Sequence, residues 1–423
     1  MSELAHGLLL QDQGRLEEAE AIFRSVLTRE PENDFVYCRL ALCQLSQQGK
    51  KRIALDSIDT AIRLRADDGF YHSVRALVLS ELRKGKDALA SADRAVALDP
   101  ESSFGLAAKA TAYCAMDRWA EAEEWSRKAL AADSDNAMAA NLLTHSLRML
   151  GRKGENAIAV EQLLAADPED SFAHVNAGWS ALQHGEHQKA ETHFREALRL
   201  DPDSEMARDG LIESFRARSL FYRVYLSYCF FMQRFTGGKQ WGIVIGIYIG
   251  YLVIRQVLEQ VNPVIAAVFV FLWLALVMWV WLAPGVGNFL ILLDRSARLA
   301  LKPGERWQGV AVGLGLLLGA IGTGLGFALD FPPAMLAGFG LVASTVPASM
   351  TFGNNSAKGR LVFGSITGFV YLVTIGVFIS ESLRHPAVEL LATTQTFGGI
   401  AILAAILCTW LGNVRSLRQG IET

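Results

Sequence analysis

Cysteine is scarce in this 423-residue chain. The five residues, Cys38, Cys43, Cys114, Cys229 and Cys408, form no CxxC pair, which removes the spacings used by thiol-redox motifs and zinc sites. Equally missing are a nucleophile elbow, an HExxH helix, a GxxxxGK[ST] loop and a cluster of paired carboxylates. No enzymatic role, cofactor or metal is therefore expected. The first residues, MSELAHGLLL, lack a basic stretch ahead of an apolar core, so no cleavable signal is expected. Acidic residues nearly vanish after residue 215, with 7 Asp/Glu against 15 Lys/Arg, whereas the first 215 residues carry 36 against 25. The front part is acidic and water-compatible. The back part is basic and apolar, which points to anionic lipid as its neighbour and excludes nucleic acid as a partner.

What the front part does have is a repeat. The segment GRLEEAEAIFRSVLTREPEN ends near Pro31, and matching ends fall at Ala66, Pro100, Ser134, Pro168 and Pro202, at steps of 35 and then 34. Small residues keep the same register: Ala19, Ala54, Ala88, Ala122 and Ala190; Ala61, Ala95, Ala129 and Ala197; and Gly7, Ala76, Ala110 and Gly178. Small residues let two antiparallel helices approach closely, and a proline stops the second helix of each pair. Repeat 5 departs from the pattern, with Asn156 and Leu163 at two of the alanine positions.

Over residues 1 to about 215 this pattern resembles the tetratricopeptide-repeat family, most closely in SFAHVNAGWSALQHGEHQKAETHFREALRLDPDS. The resemblance implies an all-α solenoid of about six helix pairs plus a capping helix, with a groove lined by the first helix of each pair. It also implies a protein partner held in that groove. The second position of those helices holds Val36, Phe70, Phe104, Met138 and Phe172, and nearby candidates are Asn141, His145, Arg148, Asn176 and Trp179. The family's carboxylate-clamp pattern of Lys and Asn is not present, which argues against a chaperone-tail receptor. His184, His187 and His193 cluster in repeat 6 around the solvated turn QHGEHQK, and no metal site is expected there.

Residues 216–240 form an amphipathic linker. Arg216, Arg218, Arg223 and Arg234 alternate with seven aromatics over 216–235, a composition suited to a helix lying at a bilayer surface with its arginines on phosphates. Residues 241–423 read as an α-helical membrane domain. About six spans are expected, near 241–258, 263–283, 308–329, 333–351, 361–380 and 391–412, with a second surface helix near 286–301. Thirteen Lys/Arg fall on one side of such a layout and only Arg255 and Arg384 on the other. Cytoplasmic loops carry the basic excess, so both termini are expected in the cytoplasm of a bacterial inner membrane.

The third span contains GLGLLLG at 313–319, a spacing found in some dinucleotide loops. No strand precedes it, and no charge falls between Gln308 and Leu329, so a phosphate site is excluded. Gly315, Gly319, Gly322 and Gly326 instead share one helix face and form two GxxxG pairs, the signature of a close helix contact. Gly364 and Gly368 in the fifth span, or the same face of a second copy, are the expected counterpart. The sequence thus reads as a membrane-anchored scaffold that holds a protein partner. An accessory subunit of a larger membrane complex, a homo-oligomer and a repeat-gated channel or transporter are the alternatives.

Overall fold

The computed structural model describes residues 2–47, 49–235, 238–295, 297–354, 356–384, 392–412 and 417, and is all-helical over them. The chain divides into two compact units. One comprises Met1–His184, Thr192–Ser204 and Phe230–Gln240; the other comprises Gly185–Glu191, Glu205–Cys229 and Trp241–Thr423.

The first unit is built from helix pairs: α1 (Glu3–Asp12) with α2 (Leu16–Arg29), α3 (Asp34–Leu45) with α4 (Lys51–Leu64), α5 (Gly69–Glu81) with α6 (Gly85–Leu98), α7 (Ser103–Ala115) with α8 (Trp119–Ala132), and α9 (Ala137–Leu150) with α10 (Lys153–Ala166). The sixth pair is α11 (Ser171–Gln183) and α12 (His187–Leu200). Each first helix opens on a capping side chain: Ser2, Asn33, Asp68, Ser102, Asn136 and Asp170 accept from a backbone N–H within the first turn. Such a cap satisfies an otherwise orphaned donor and stabilises a helix by about 1 kcal/mol. The turn inside each pair places one residue in the left-handed region: Gly14, Gly49, Arg83, Asp117, Gly151 and Gly185. Four of these six positions carry glycine, which pays no Cβ penalty there.

The alanines of the repeat register are buried without exception, and Phe23 and Phe194 are fully enclosed. A Cβ on Gly7 would lie 2.8 Å from Phe23 Cε1, and one on Gly178 would lie 2.7 Å from Phe194 Cε1. Glycine is thus set by the ring it faces. In repeat 5, Asn156 is buried, and its Nδ2 donates to Thr144 O at 2.7 Å. A hydrogen bond takes the place of close alanine packing.

Glu20 is a buried carboxylate in the first pairs, accepting from Lys50 (2.7 Å), Arg24 (2.8 Å), Gln47 (3.0 Å) and Gln44 (3.3 Å). Burial alone would raise its pKa; the opposing hydrogen bonds from Lys50, Arg24, Gln44 and Gln47 hold it down to about 2. A folded-state value below the unfolded one means that the stabilisation is complete above about pH 4.5 and disappears as pH falls toward about 2. Glu20→Gln is expected to flatten the acid limb of the repeat unit's unfolding over that window. Thermal melts of the full chain at successive pH values check this, and an unchanged acid limb would show that Glu20 does not carry it.

The second unit begins with α13 (Glu205–Arg216) and most of α14 (Leu220–Gln233), and continues through α15 (Gly238–Val261), α16 (Pro263–Leu293), α17 (Pro303–Ala328), α18 (Pro332–Phe352), α19 (Ala357–Arg384) and α20 (Ala392–Leu411). Among the described residues, five helices are long and apolar enough to cross a membrane: Gly242–Val261, Pro263–Leu293, Pro303–Ala328, Pro332–Phe352 and Ala357–Leu383. The expected sixth span, 391–412, coincides with α20, which is not among these five. Prolines at the first turns of α16, α17 and α18 and the Asn262 cap mark where the chain turns between helices.

Two boundaries differ from the sequence reading. The surface helix expected near 286–301 does not form. Residues 286–293 complete α16, which runs on through Pro284, and the described residues between 294 and 302 are not helical. The cause is packing: Gly285 meets Val312, Gly287 meets Arg216 and Tyr222, and Asn288 is fully buried. One side of that segment faces protein, while Leu290 and Leu293 stay exposed. The second difference is that α13 groups with the apolar helices, because it is fastened to α16.

The fastening is a buried polar chain. Arg216 Nε and Nη2 donate to Asn288 Oδ1 at 2.9 and 2.7 Å. Arg216 also pairs with Glu213 (2.6 Å) and Glu305 (3.1 Å), and its guanidinium lies over the Tyr222 ring. Asn288 Nδ2 donates to Gln308 Oε1 (2.8 Å), and Gln308 Nε2 donates to Ser349 O (3.1 Å). Ser349 Oγ in turn donates to Trp281 O at 3.2 Å. Helices α13, α16, α17 and α18 are thereby tied at one end. Arg218 pairs with Asp294 at 2.5 Å and with Glu191 at 2.9 Å. Two of the four arginines expected on lipid phosphates, Arg216 and Arg218, are therefore neutralised by carboxylates.

Candidate partner-binding surface

In the first unit, the first helices of successive pairs touch one another, α3 to α5, α5 to α7, α7 to α9 and α9 to α11. The candidate residues lie on these helices, with differing exposure. Asp68 Oδ1 accepts from Phe70 N at 2.9 Å and Asp170 Oδ1 from Phe172 N at 2.8 Å, fixing both rings at helix starts. Phe70 and Phe172 are 41% and 46% exposed. The Phe70 ring stacks on Phe104 with centroids 4.9 Å apart. Phe104 and Met138 are half-buried and rest on core clusters, and Val36 is fully buried.

The polar candidates serve the fold more than the surface. Asn141 Nδ2 donates to Asp170 Oδ2 (3.0 Å), and Asn176 Nδ2 donates to Asn141 Oδ1 (2.9 Å). This ladder joins α9 to α11, and Asn176 is buried in it. Trp179 stands edge-on to Phe194 (5.6 Å) and to Phe230 (6.5 Å), so part of its surface is covered by the chain itself. Arg148 lies over Trp179 at 5.6 Å, and its Nη2 is 3.4 Å from His145 Nδ1. Arginine has no lone pair to offer, so His145 Nδ1 is the acceptor there. His145 also tilts against Trp119 at 5.3 Å. Burial, helped by the Arg148 charge, pushes His145 down to about 3, and burial lowers Arg148 to about 10. At neutral pH the imidazole is uncharged and the guanidinium is charged.

A family model for tetratricopeptide repeats matches residues 4–68 and 148–205. Solved structures similar to the chain include a thermophilic TPR protein of Thermus thermophilus, at 19% identity, covering 43% of this chain and 98% of that one with a TM-score of 0.40. They also include PilW, a type IV pilus biogenesis factor (19%, 47% and 90%, TM-score 0.39), and YrrB, a TPR protein with an unusual peptide-binding site (19%, 44% and 95%, TM-score 0.30). No curated protein matches.

The helix pairs at residues 4–68 and 148–205 are tetratricopeptide repeats. Apolar helices consistent with a membrane segment follow these repeats.

Downstream of the TPR array, the glycine face of α17 packs on α18. A Cβ on Gly319 would lie 2.9 Å from Gly338 O, and one on Gly326 would lie 2.5 Å from Met335 N. Gly315 meets Thr345, and Gly322 has only ordinary contacts near Gly338. The expected counterpart differs: Gly364 meets only Thr351, and Gly368 has nothing within 4 Å. Helix α18 follows α17 through a short turn and reaches it first, offering Gly338 as its own small residue. The sequence reading passed over Asn288, Gln308 and Ser349. Their signal was available, as isolated polar residues at the ends of apolar runs. It also passed over the caps Asp68, Ser102, Asn136 and Asp170, which recur every 34 residues.

Proposed function

We propose that the chain is a membrane-anchored scaffold. Its TPR array takes a protein partner, and its apolar helices hold that complex at the bacterial inner membrane. Confinement at the bilayer raises the partner's effective concentration for whatever it meets there. The observation that carries the reading is the exposed aromatic surface at the starts of the first helices, Phe70 stacked on Phe104 and the open ring of Phe172. Aromatic rings held rigidly at a surface are frequent anchors in protein interfaces. The distribution of Lys/Arg, thirteen on one side of a six-span layout and two on the other, supports cytoplasmic termini and a cytoplasmic array.

A single span is enough for anchoring, and this chain has five candidates among its described residues. That surplus favours a second reading, in which the apolar helices also join a larger membrane complex as an accessory subunit or associate with another copy.

Phe70→Ser combined with Phe172→Ser is expected to reduce partner recovery in mild-detergent co-purification about tenfold, the effect of losing two modest anchors. Membrane insertion and array melting should be unchanged, since both rings lie outside the core. Ile158→Ser, at another exposed apolar position on α10, serves as the control. Full partner recovery by the double variant would remove the array's aromatic surface from the binding site.

A further inference from the structure

We propose that the outward face of α14 over residues 220–229 lies on a bilayer leaflet, with its apolar side chains among the upper acyl chains and Arg223 on an anionic phospholipid headgroup. The inference goes beyond the scaffold reading, because anchoring by spanning helices does not require it.

The helix has two unlike faces. Tyr222 and Leu226 are buried against protein, at 3% and 7% exposure. Leu220, Phe221, Val224 and Tyr228 are 40–71% exposed. At about 100° per residue, these four positions fall within one arc of about 100°. An arc of this width filled by large apolar residues is the pattern of an in-plane interfacial helix.

Three observations point to lipid as the occupant. The exposed Phe221 ring meets Trp279 of α16 at 5.9 Å. The face is therefore continuous with that helix, whose Leu272 and Leu276 are 60% and 58% exposed. Next along the chain comes Gly242–Val261, an apolar stretch of which nothing is buried inside the protein. The third observation is charge. Arg216 and Arg218 are each matched by two carboxylates. Arg223, half-buried at the edge of the apolar arc, has no carboxylate partner among the described residues, and its buried Nε has no hydrogen-bond partner. A guanidinium at headgroup depth finds its acceptor in a lipid phosphate.

The test places a benzophenone amino acid singly at Phe221, Val224 and Tyr228 of the full chain in nanodiscs containing phosphatidylcholine and phosphatidylglycerol, and in native membranes. Leu272 and Ile158 serve as comparison positions. Lipid adducts at 221, 224 and 228, and at 272 but not at 158, are the expected result. Phosphatidylglycerol should be enriched in the adducts roughly fivefold over its bulk share, and Arg223→Gln should return it to that share. Lipid adducts at 272 with none at the three α14 positions would overturn the proposal while leaving membrane embedding standing. Protein adducts at those positions in native membranes would also overturn it, by assigning the face to a partner chain. Unenriched adducts would overturn the role given to Arg223.

Discussion

Arg216→Ala is expected to cost the second unit about 3–5 kcal/mol and to release α13 from α16. The side chain is 9% exposed and holds Asn288, Glu213 and Glu305 at once. Its removal takes a charged donor from two carboxylates and from an amide oxygen in a poorly hydrated place. The carboxylates then protonate or draw in water, and either response opens the packing. The charge on Arg216 is itself secure. Burial opposes it, but Glu213, Tyr222 and Glu305 outweigh burial and hold its pKa above the ordinary arginine value. Arg216→Lys should recover only part of the loss, because an ammonium cannot present two parallel donors to Asn288 Oδ1. Hydrogen exchange over 205–216 and thermal unfolding of the detergent-solubilised chain measure the effect. Native-like protection of α13 in the alanine variant would show that α13 is held by apolar contacts alone.

The second large effect belongs to the α17–α18 contact. Gly319→Leu and Gly326→Leu are expected to destabilise the apolar unit by about 1–3 kcal/mol each or to misassemble it, as overpacking of a closed contact does. The obstacles facing them include backbone atoms, Gly338 O and Met335 N, which cannot rotate aside. Gly324, on the same helix and with nothing within 4 Å, is the internal control. Gly324→Ala should be neutral or stabilising by up to about 1 kcal/mol, through helix propensity alone. Equal behaviour of the three variants in a thermal-shift assay would mean that the glycine face is not the tight contact.

The repeat was legible because one physical constraint recurs every 34 residues: two helices in close contact need alanine or glycine at the crossing and a stop after it. Asn156 broke the pattern without breaking the packing, since a side-chain amide reaching Thr144 O substitutes for contact. The apolar helices were legible from length and composition, yet their pairing was not. The glycine face of α17 was plain in the sequence. That it meets Gly338 and not Gly364 depends on which helix the short turn at 329–331 delivers. Arg216 was misplaced for a different reason. A sequence shows an arginine among aromatics and favours water or phosphate, whereas its carboxylate and amide partners stand as far as 89 positions away. Of the groove candidates, Phe70 and Phe172 are open, and Asn176 is committed to a ladder that periodicity cannot reveal.

Helix α16 has 31 residues. At about 1.5 Å per residue it is about 46 Å long, against about 30 Å of hydrocarbon in an ordinary bilayer. Roughly its last ten residues then stand clear of the acyl region, and these carry Gly287 and Asn288, the seat of Arg216. Under the proposed anchoring, the helix is in effect a post, its first part among lipids and its last part gripped by α13. Pro284 stands at the border of these two parts, so movement of the apolar stretch reaches residues 205–216 through a helix with a built-in bending point.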